Sequence, residues 1–261
     1  MIVTTSPKPS EKVLHQSLRL AQQLSASWQE RAKLSVHRLL QRSEDGVVVV
    51  TEREVRFYSS ELESPYFFHP SMALVRLKRM LQGQVDTLMD YARCTSGDIV
   101  VDCTAGLCSD AIVFSHAVGT AGRVIAVESE PIVYTLAKEG LQDYKTGLVE
   151  ADQAMRRIEL MQSDYYRFLQ KLDTKSVDIV YFDPMFTVPV QQSNSIEPLR
   201  FLANDHPLLL DAVTQAKRVA RKTVVMKEHV SSDQFGLLGF NKRLINRTKI
   251  AYGVIEIDTS K

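Results

Sequence analysis

The sequence predicts an α/β fold: a Rossmann-like, mostly parallel sheet with a C-terminal antiparallel hairpin and a small N-terminal α+β extension. Three observations carry this. From Asp98 onward, short Val- and Ile-rich runs alternate with helical runs, the pattern of a parallel sheet wound by right-handed crossovers. The last two β-prone runs, 243–246 and 250–257, lie too close together for a helix between them, so they pair antiparallel. The first 65 residues follow neither pattern. A chain of 261 residues, 44% of them apolar, can bury a large core and a small additional one.

Taken in order, residues 1–10 (MIVTTSPKPS) start with a β-prone piece and end at prolines. Ser10 caps a helix predicted over 11–42, with a break near 25–29. Residues 47–50 and 54–58 flank Thr51-Glu52-Arg53 as a hairpin, and Ser64-Pro65 breaks the chain. This gives a helical and hairpin extension over 1–65 and a main domain over 66–261, whose first part, 66–95, is a helical connector. Ser71 caps the connector helix, with Leu74, Val75, Leu77 and Leu81 on its apolar side. Strands follow at 99–102, 124–127, 158–161, 177–182 and 223–226, and helices at 107–118, 131–144, 165–171 and, broadly, 196–220.

The net charge of +1 argues against a chain that binds nucleic acid by bulk charge. Residues 1–80 nevertheless hold twelve Lys/Arg and eight Asp/Glu, a net of +4. That excess either meets a phosphate backbone or forms a solvated helix face, and Arg76, Lys78 and Arg79 are open to the same two readings. Cys94, Cys103 and Cys108 lack metal-ligand spacing, so no metal is expected. An odd number of thiols, with no export or membrane-spanning segment, points to a reducing cytoplasm and no membrane partner.

The first strand-to-helix turn, Val100-Val101-Asp102-Cys103-Thr104-Ala105-Gly106-Leu107-Cys108-Ser109-Asp110, sits where open α/β sheets bind ligands. Ala105-Gly106 lets a ligand approach the backbone, and the helix start offers N–H groups to a carboxylate. Asp102 and Asp110 suit an ammonium, so the turn fits an amino-acid-like ligand better than pyrophosphate. Glu128, 22 residues after Gly106 and followed by Ser129, stands where a ribose diol is held. Ser163 and Asp164 end the third strand; Asp164 either reaches an adenine amino group or caps the next helix. Together these features point to S-adenosylmethionine, with a nicotinamide dinucleotide, which favours a richer glycine pattern, as the lesser alternative.

Asp183-Pro184-Met185-Phe186 follows the apolar run Val177-Asp178-Ile179-Val180-Tyr181-Phe182. An acid, a proline and an aromatic at a strand's carboxyl end suit a planar base held by its exocyclic amine, although a strand closed by a proline turn gives the same residues. Lys227 ends the fifth strand, where it contacts phosphate or pairs with Glu228. His69, before the connector helix, is either structural or a substrate contact.

The segments DCTAGLCSD, VESEP, an extended stretch before RIELMQSDYYRFL, then VYFDPMF and VVMKEH resemble the bacterial small-subunit (16S) rRNA guanine-N2 methyltransferases over residues 98–228. That family carries D-x-T-A-G-L-G-x-D, E-x-N-P and D-P-M-F, on the sheet of class I methyltransferases. Three departures stand out. Cys108 occupies a glycine place, and Ser129-Glu130 replaces Arg-Asn. Thr187-Val188-Pro189-Val190 follows Phe186 where the family has a proline and a basic stretch. The N-terminal 65 residues resemble instead an uncharacterised Gram-positive sister group.

The resemblance implies S-adenosylmethionine bound by Asp102, Thr104, Ala105, Gly106, Asp110, Glu128, Ser129, Ser163, Asp164 and Asp183. It implies methyl transfer to a guanine amine in rRNA or the small ribosomal subunit. Asp183, Pro184 and Phe186 would be catalytic, and Met185, Phe186, Lys227 and His69 would hold substrate. Methylation of another amine, in a protein or a small molecule, is the alternative, as is a non-catalytic module binding the cofactor or RNA.

Overall fold

The chain begins with β1 (Ile2–Thr5), buried along its whole length and therefore an interior strand. The computed structural model describes residues 1–186, 207–245 and 248–257. After α1 (Glu11–Gln23), β2 (Ser27–Trp28) pairs parallel with one edge of β1. After α2 (Val36–Leu40), β3 (Val47–Val50) takes the other edge, and β4 (Val55–Tyr58) and β5 (Tyr66–Phe67) add antiparallel to it. The result is a five-stranded sheet in the order β2-β1-β3-β4-β5.

The hairpin matches its expectation, with Val50 opposite Val55. The helix expected over 11–42 breaks near 25–29 as expected, but its second half is a two-residue strand and a short helix rather than a continuation. Ser10 caps α1 as expected, accepting a hydrogen bond from the Val13 N–H. The helix then stops because Ser25 takes a left-handed φ of 50° and the chain turns back onto β1. Trp28 locks that return by donating its indole N–H to Ser17 Oγ at 2.9 Å. Edge pairing and a buried hydroxyl outweigh helix propensity there.

The connector holds α3 (Ser71–Leu81) and α4 (Thr87–Tyr91). Pro70, not Ser71, is the capping position of α3. Its inward side is Ala73, Leu74, Arg76, Leu77 and Met80, while Val75 and Leu81 stay about half exposed. Leu74 and Leu77 thus face inward as expected and Val75 and Leu81 do not, and Arg76 turns inward to two carboxylates.

The main sheet is built from β6 (Ile99–Asp102), α5 (Ser109–Val118), β7 (Arg123–Glu128), α6 (Pro131–Asp143), α7 (Val149–Arg157), β8 (Glu159–Gln162), α8 (Tyr165–Lys171) and β9 (Val177–Phe182). It continues with α9 (Leu210–Val219), β10 (Ala220–His229), α10 (Gln234–Leu237), β11 (Asn241–Leu244) and β12 (Ile250–Glu256). The strand order is β11-β12-β10-β9-β6-β7-β8, with β12 antiparallel to β10 and β11, and the other pairs parallel. This is a Rossmann-like α/β fold with a C-terminal antiparallel pair, as the sequence predicts.

Three differences are local. The stretch before Ile158, to which no element is assigned from sequence, contains the helix α7. The helix expected over 196–220 is seen as α9, with 207–209 outside it and 196–206 outside the described residues. Residue 246, expected in the first hairpin strand, also lies outside them.

Side chains alternate across the sheet and so feed two cores. Val100, Ile179, Tyr181 and Val225 pack under α3, α4, α5 and α7. Val101, Val180, Phe182, Val224 and Met226 pack under α8 and α9. The N-terminal sheet, through Val3, Val48 and Phe57, and Leu20 of α1 share one core with Ile132, Val133 and Leu136 of α6. Gly140 of α6 leaves room for the buried Phe68 ring, which a Cβ would meet at 2.0 Å. That contact presses the connector onto the main domain.

Candidate active site

Strand order reverses on the two sides of β6, so the carboxyl ends of β6 and β9 form the switch point at which open α/β sheets bind ligands. Asp102, Glu128, Gln162 and Phe182 are the last residues of β6, β7, β8 and β9. Parallel register therefore brings Asp102, Glu128, Ser163 and Asp183 to one rim. Lys227 follows Met226, which is level with Phe182, so β10 adds a cation to the same rim.

The first turn is tightly bonded. Ala105 N–H donates to Val127 O at 3.0 Å and Cys108 N–H to Ala105 O at 2.6 Å. Asp102 Oδ1 accepts the Thr104 N–H at 3.2 Å, and Thr104 Oγ1 accepts the Asp183 N–H at 2.6 Å. The turn after β6 and the motif after β9 are thus one bonded unit. Glu128 accepts the Gly106 N–H at 2.9 Å through one oxygen and the Glu130 N–H at 2.8 Å through the other. Burial raises its carboxyl above the ordinary range, against those backbone donors. Ser163 donates its N–H to Glu128 O at 3.0 Å, and Asp164 caps α8 by accepting the Arg167 N–H at 2.9 Å. Ser129 is half-buried beside Glu128.

Cys108 explains the family's glycine. Its φ is 63° and ψ 24°, a left-handed conformation that disfavours any side chain. Its thiol is fully buried in the core under α3, which compensates. Cys108→Gly should change unfolding free energy by less than about 1 kcal/mol, because relief of strain offsets the lost packing. Cys108→Val should cost about 2–4 kcal/mol, since a β-branched residue is worst at this φ and the site is full. Urea denaturation checks both; a well-tolerated valine would overturn the account.

The second half of the site is a charge network. Arg76 bonds Asp86 with two nitrogens at 2.7 Å each and reaches Asp110 with a third. Asp110 also accepts from the Tyr181 hydroxyl at 2.9 Å and from Lys227 at 3.3 Å, and Lys227 donates to Asp183 at 2.7 Å. Burial alone would raise the Asp110 carboxyl, but Lys227 and Arg76 hold it well below the usual carboxylate range. Burial pushes Asp183 up to about 6, against the pull of Lys227. Burial would lower the Lys227 ammonium, but Asp110 and Asp183 outweigh it and hold it above its ordinary value. Burial, followed by the charge of Asp110, raises Asp102 well above the ordinary range.

Several expectations change. Asp110 was expected to face a ligand ammonium; its carboxylate is already shared among Arg76, Tyr181 and Lys227. Lys227 was expected on phosphate or Glu228; it lies on Asp110 and Asp183, because neighbours in a strand point to opposite faces. Arg76 was expected at RNA or solvent and is drawn inward. His69 is not brought to the rim. It sits beside Phe67 and Tyr144, ring centroids 6.3 and 6.1 Å away. Tyr144 closes the far end of α6, a 13-residue helix of about 20 Å that starts at Pro131 near Glu128.

Sequence reasoning missed Tyr181, Arg76 and Asp86 as members of the site. The first two left signals: a tyrosine inside a buried strand needs a partner for its hydroxyl, and Arg76 is in helical phase with Ala73 and Leu77. Met185 and Phe186 are half-buried on the rim beside Pro184. Among the described residues no cluster of His, Cys, Asp and Glu could hold a metal, and no helix is long and apolar enough to cross a membrane.

The acids at this turn suit a cationic ligand. Asp102 is a buried acid with no lysine or arginine bonded to it among the described residues, and Glu128 and Asp164 surround the same turn. A buried, uncompensated acid invites a cationic ligand and repels a phosphate. The fold and this site define a class I methyltransferase that uses S-adenosylmethionine. Residues 70–233 match the family described as "Putative SAM-dependent methyltransferase", and the chain belongs to that family.

The chain is 40% identical to the uncharacterized protein YpiP of Bacillus subtilis, over 98% of this chain and 99% of that one. It is 32% identical to ribosomal RNA small subunit methyltransferase J of Acinetobacter baumannii, over 46% of this chain and 43% of that one. The match to that second relative therefore spans less than half of its length. A crystal structure of an S-adenosylmethionine-dependent methyltransferase from Neisseria gonorrhoeae has the same fold, with a TM-score of 0.65 over the whole chain and 98% of its own, at 16% identity. The resemblances to the rRNA enzymes and to a Gram-positive group are both borne out.

Proposed function

We propose that this methyltransferase acts on the exocyclic N2 of a guanine in small-subunit rRNA. The observation that carries the reading is Asp183-Pro184-Met185-Phe186, a carboxylate and a half-buried ring on a segment tied to the cofactor turn by the Asp183 N–H on Thr104 Oγ1. The partial likeness to a ribosomal RNA methyltransferase supports the same substrate class. We divide the chain into the extension over 1–65 and the methyltransferase domain over 66–261.

Glu128, with Ser129 beside it, would hold the ribose diol, and Asp102 the ammonium. Thr104, Ala105 and Gly106 would line the amino-acid end, and Ser163 and Asp164 the adenine amine. Bound there, the cofactor supplies an electrophilic methyl group. An aromatic amine is a weak nucleophile because its lone pair is delocalised, so the chain's main contribution is orientation. Asp183, or the Pro184 carbonyl, accepts a hydrogen bond from the amine, while Phe186 stacks on the base and Met185 lines its edge. A paired base must first leave its helix.

The test is mass spectrometry of rRNA from cells with and without the protein. One N2-methylguanine should vanish from the small-subunit RNA, and purified protein should restore it on subunits from the deletion strain. Methyl label passing only to protein or small amines would replace this substrate with another amine. Bound cofactor with no labelled acceptor would favour a non-catalytic module.

A further inference from the structure

We propose that Arg76 is a positioning residue for methyl transfer: from the connector helix it holds Asp110, so that Lys227 is shared with Asp183 and fixes that carboxylate at the acceptor cleft. This rests on Asp183 being the acceptor-side carboxylate. The geometry is a continuous bonded chain. Asp86 is anchored to α4 by accepting the Leu88 and Met89 N–H groups at 3.1 and 3.3 Å. It receives two nitrogens of Arg76, whose third reaches Asp110. Asp110 and Asp183 then hold Lys227 between them at 3.3 and 2.7 Å. A bidentate guanidinium fixes direction as well as charge, which an ammonium in its place cannot do.

The balance inside this chain is specific. Three acids, Asp86, Asp110 and Asp183, share two cations, Arg76 and Lys227. Without Arg76, Asp110 has Lys227 as its one cation in the network and draws it away from Asp183. Asp183 would then face Asp102, Asp110, Glu228, Tyr181 and Tyr252 with a weakened counter-charge, so its proton would be held more tightly. The connector, which carries no proposed substrate contact of its own, would thereby set the ionisation and aim of the acceptor carboxylate.

Carboxylate titration by carbon NMR, with Asp183 assigned from the Asp183→Asn spectrum, tests this beside methyl-transfer rates from pH 5 to 8. In Arg76→Met the Asp183 midpoint should rise from about 6 by about one unit or more. The acid limb of kcat should move with it, while cofactor affinity changes less than about threefold. Arg76→Lys should recover part of both. The double variant Arg76→Met with Asp110→Asn removes the competing acid, restores Lys227 to Asp183 and should bring the midpoint back to or below the parent's. This variant also keeps the parent's excess of one acid in the network if the single one folds poorly. An unmoved midpoint in folded Arg76→Met, or a double variant that stays high, overturns the role of Arg76. A midpoint that moves while the rate profile stays fixed removes Asp183 from catalysis, and with it the role of Arg76 in methyl transfer, leaving Arg76 to set only the ionisation of Asp183.

Discussion

Asp183→Asn is expected to lower kcat about 10²–10³-fold while S-adenosylmethionine affinity stays within about threefold. Asn keeps the shape and the backbone bond from the Asp183 N–H to Thr104, so the cofactor turn retains its form. What it loses is the charged acceptor for an amine that must gain electron density as its new bond forms. It also leaves Lys227 with Asp110 as its remaining acid in the network. The parent's pH profile should carry the same signature. Burial favours the neutral acid and places its midpoint at about 6, so the active, ionised form is lost as pH falls through that value. The rate should be flat above about pH 7 and fall about tenfold per unit well below pH 6. The Asn variant should lack this limb. Initial rates with labelled methyl groups decide the matter, and an Asn variant with parental kcat would remove Asp183 from the mechanism.

Much of this site is legible in sequence, because parallel sheets place function at strand ends and strand ends are marked by polarity. Asp102, Glu128 and Asp183 each close a run of buried apolar residues, so the rim follows once the strands are recognised. The glycine-place cysteine is visible as an oddity. Its cause, a φ of 63°, is a backbone fact that no residue type discloses. The charge network is harder to read. Arg76 and Asp110 are 34 residues apart, and their pairing depends on how α3 rotates against α5. A charged residue on a helix is ordinarily solvated, so pattern alone favours the outward face. The N-terminal helix is a related case: its break near 25–29 is legible, but the strand that fills the break is not, because residues 27–28 are held by β1, a partner more than twenty positions away.

Glu128→Ala is expected to weaken S-adenosylmethionine binding about 10²–10³-fold, the second large effect. Two contributions add. The ribose diol would lose a charged acceptor, at about 1.5–3 kcal/mol for each hydrogen bond to a charged group. The Gly106 and Glu130 N–H groups would lose the acceptor that ties the glycine turn to the acidic loop, so the empty site itself loosens. Glu128→Gln separates them. The Gly106 and Glu130 N–H groups use different oxygens of Glu128 and Gln keeps only one, so it should retain part of the turn's order and bind with intermediate affinity. Burial raises the Glu128 carboxyl, so cofactor affinity should also decline toward acid pH, as protonation removes acceptor capacity. Calorimetry measures each case, and an Ala variant with parental affinity would reject the ribose contact. The two variants divide the site between them. Glu128→Ala should recover much of its rate once cofactor saturates, because its acceptor carboxylate is intact. Asp183→Asn should gain nothing from added cofactor, because what it lacks is the group that meets the amine.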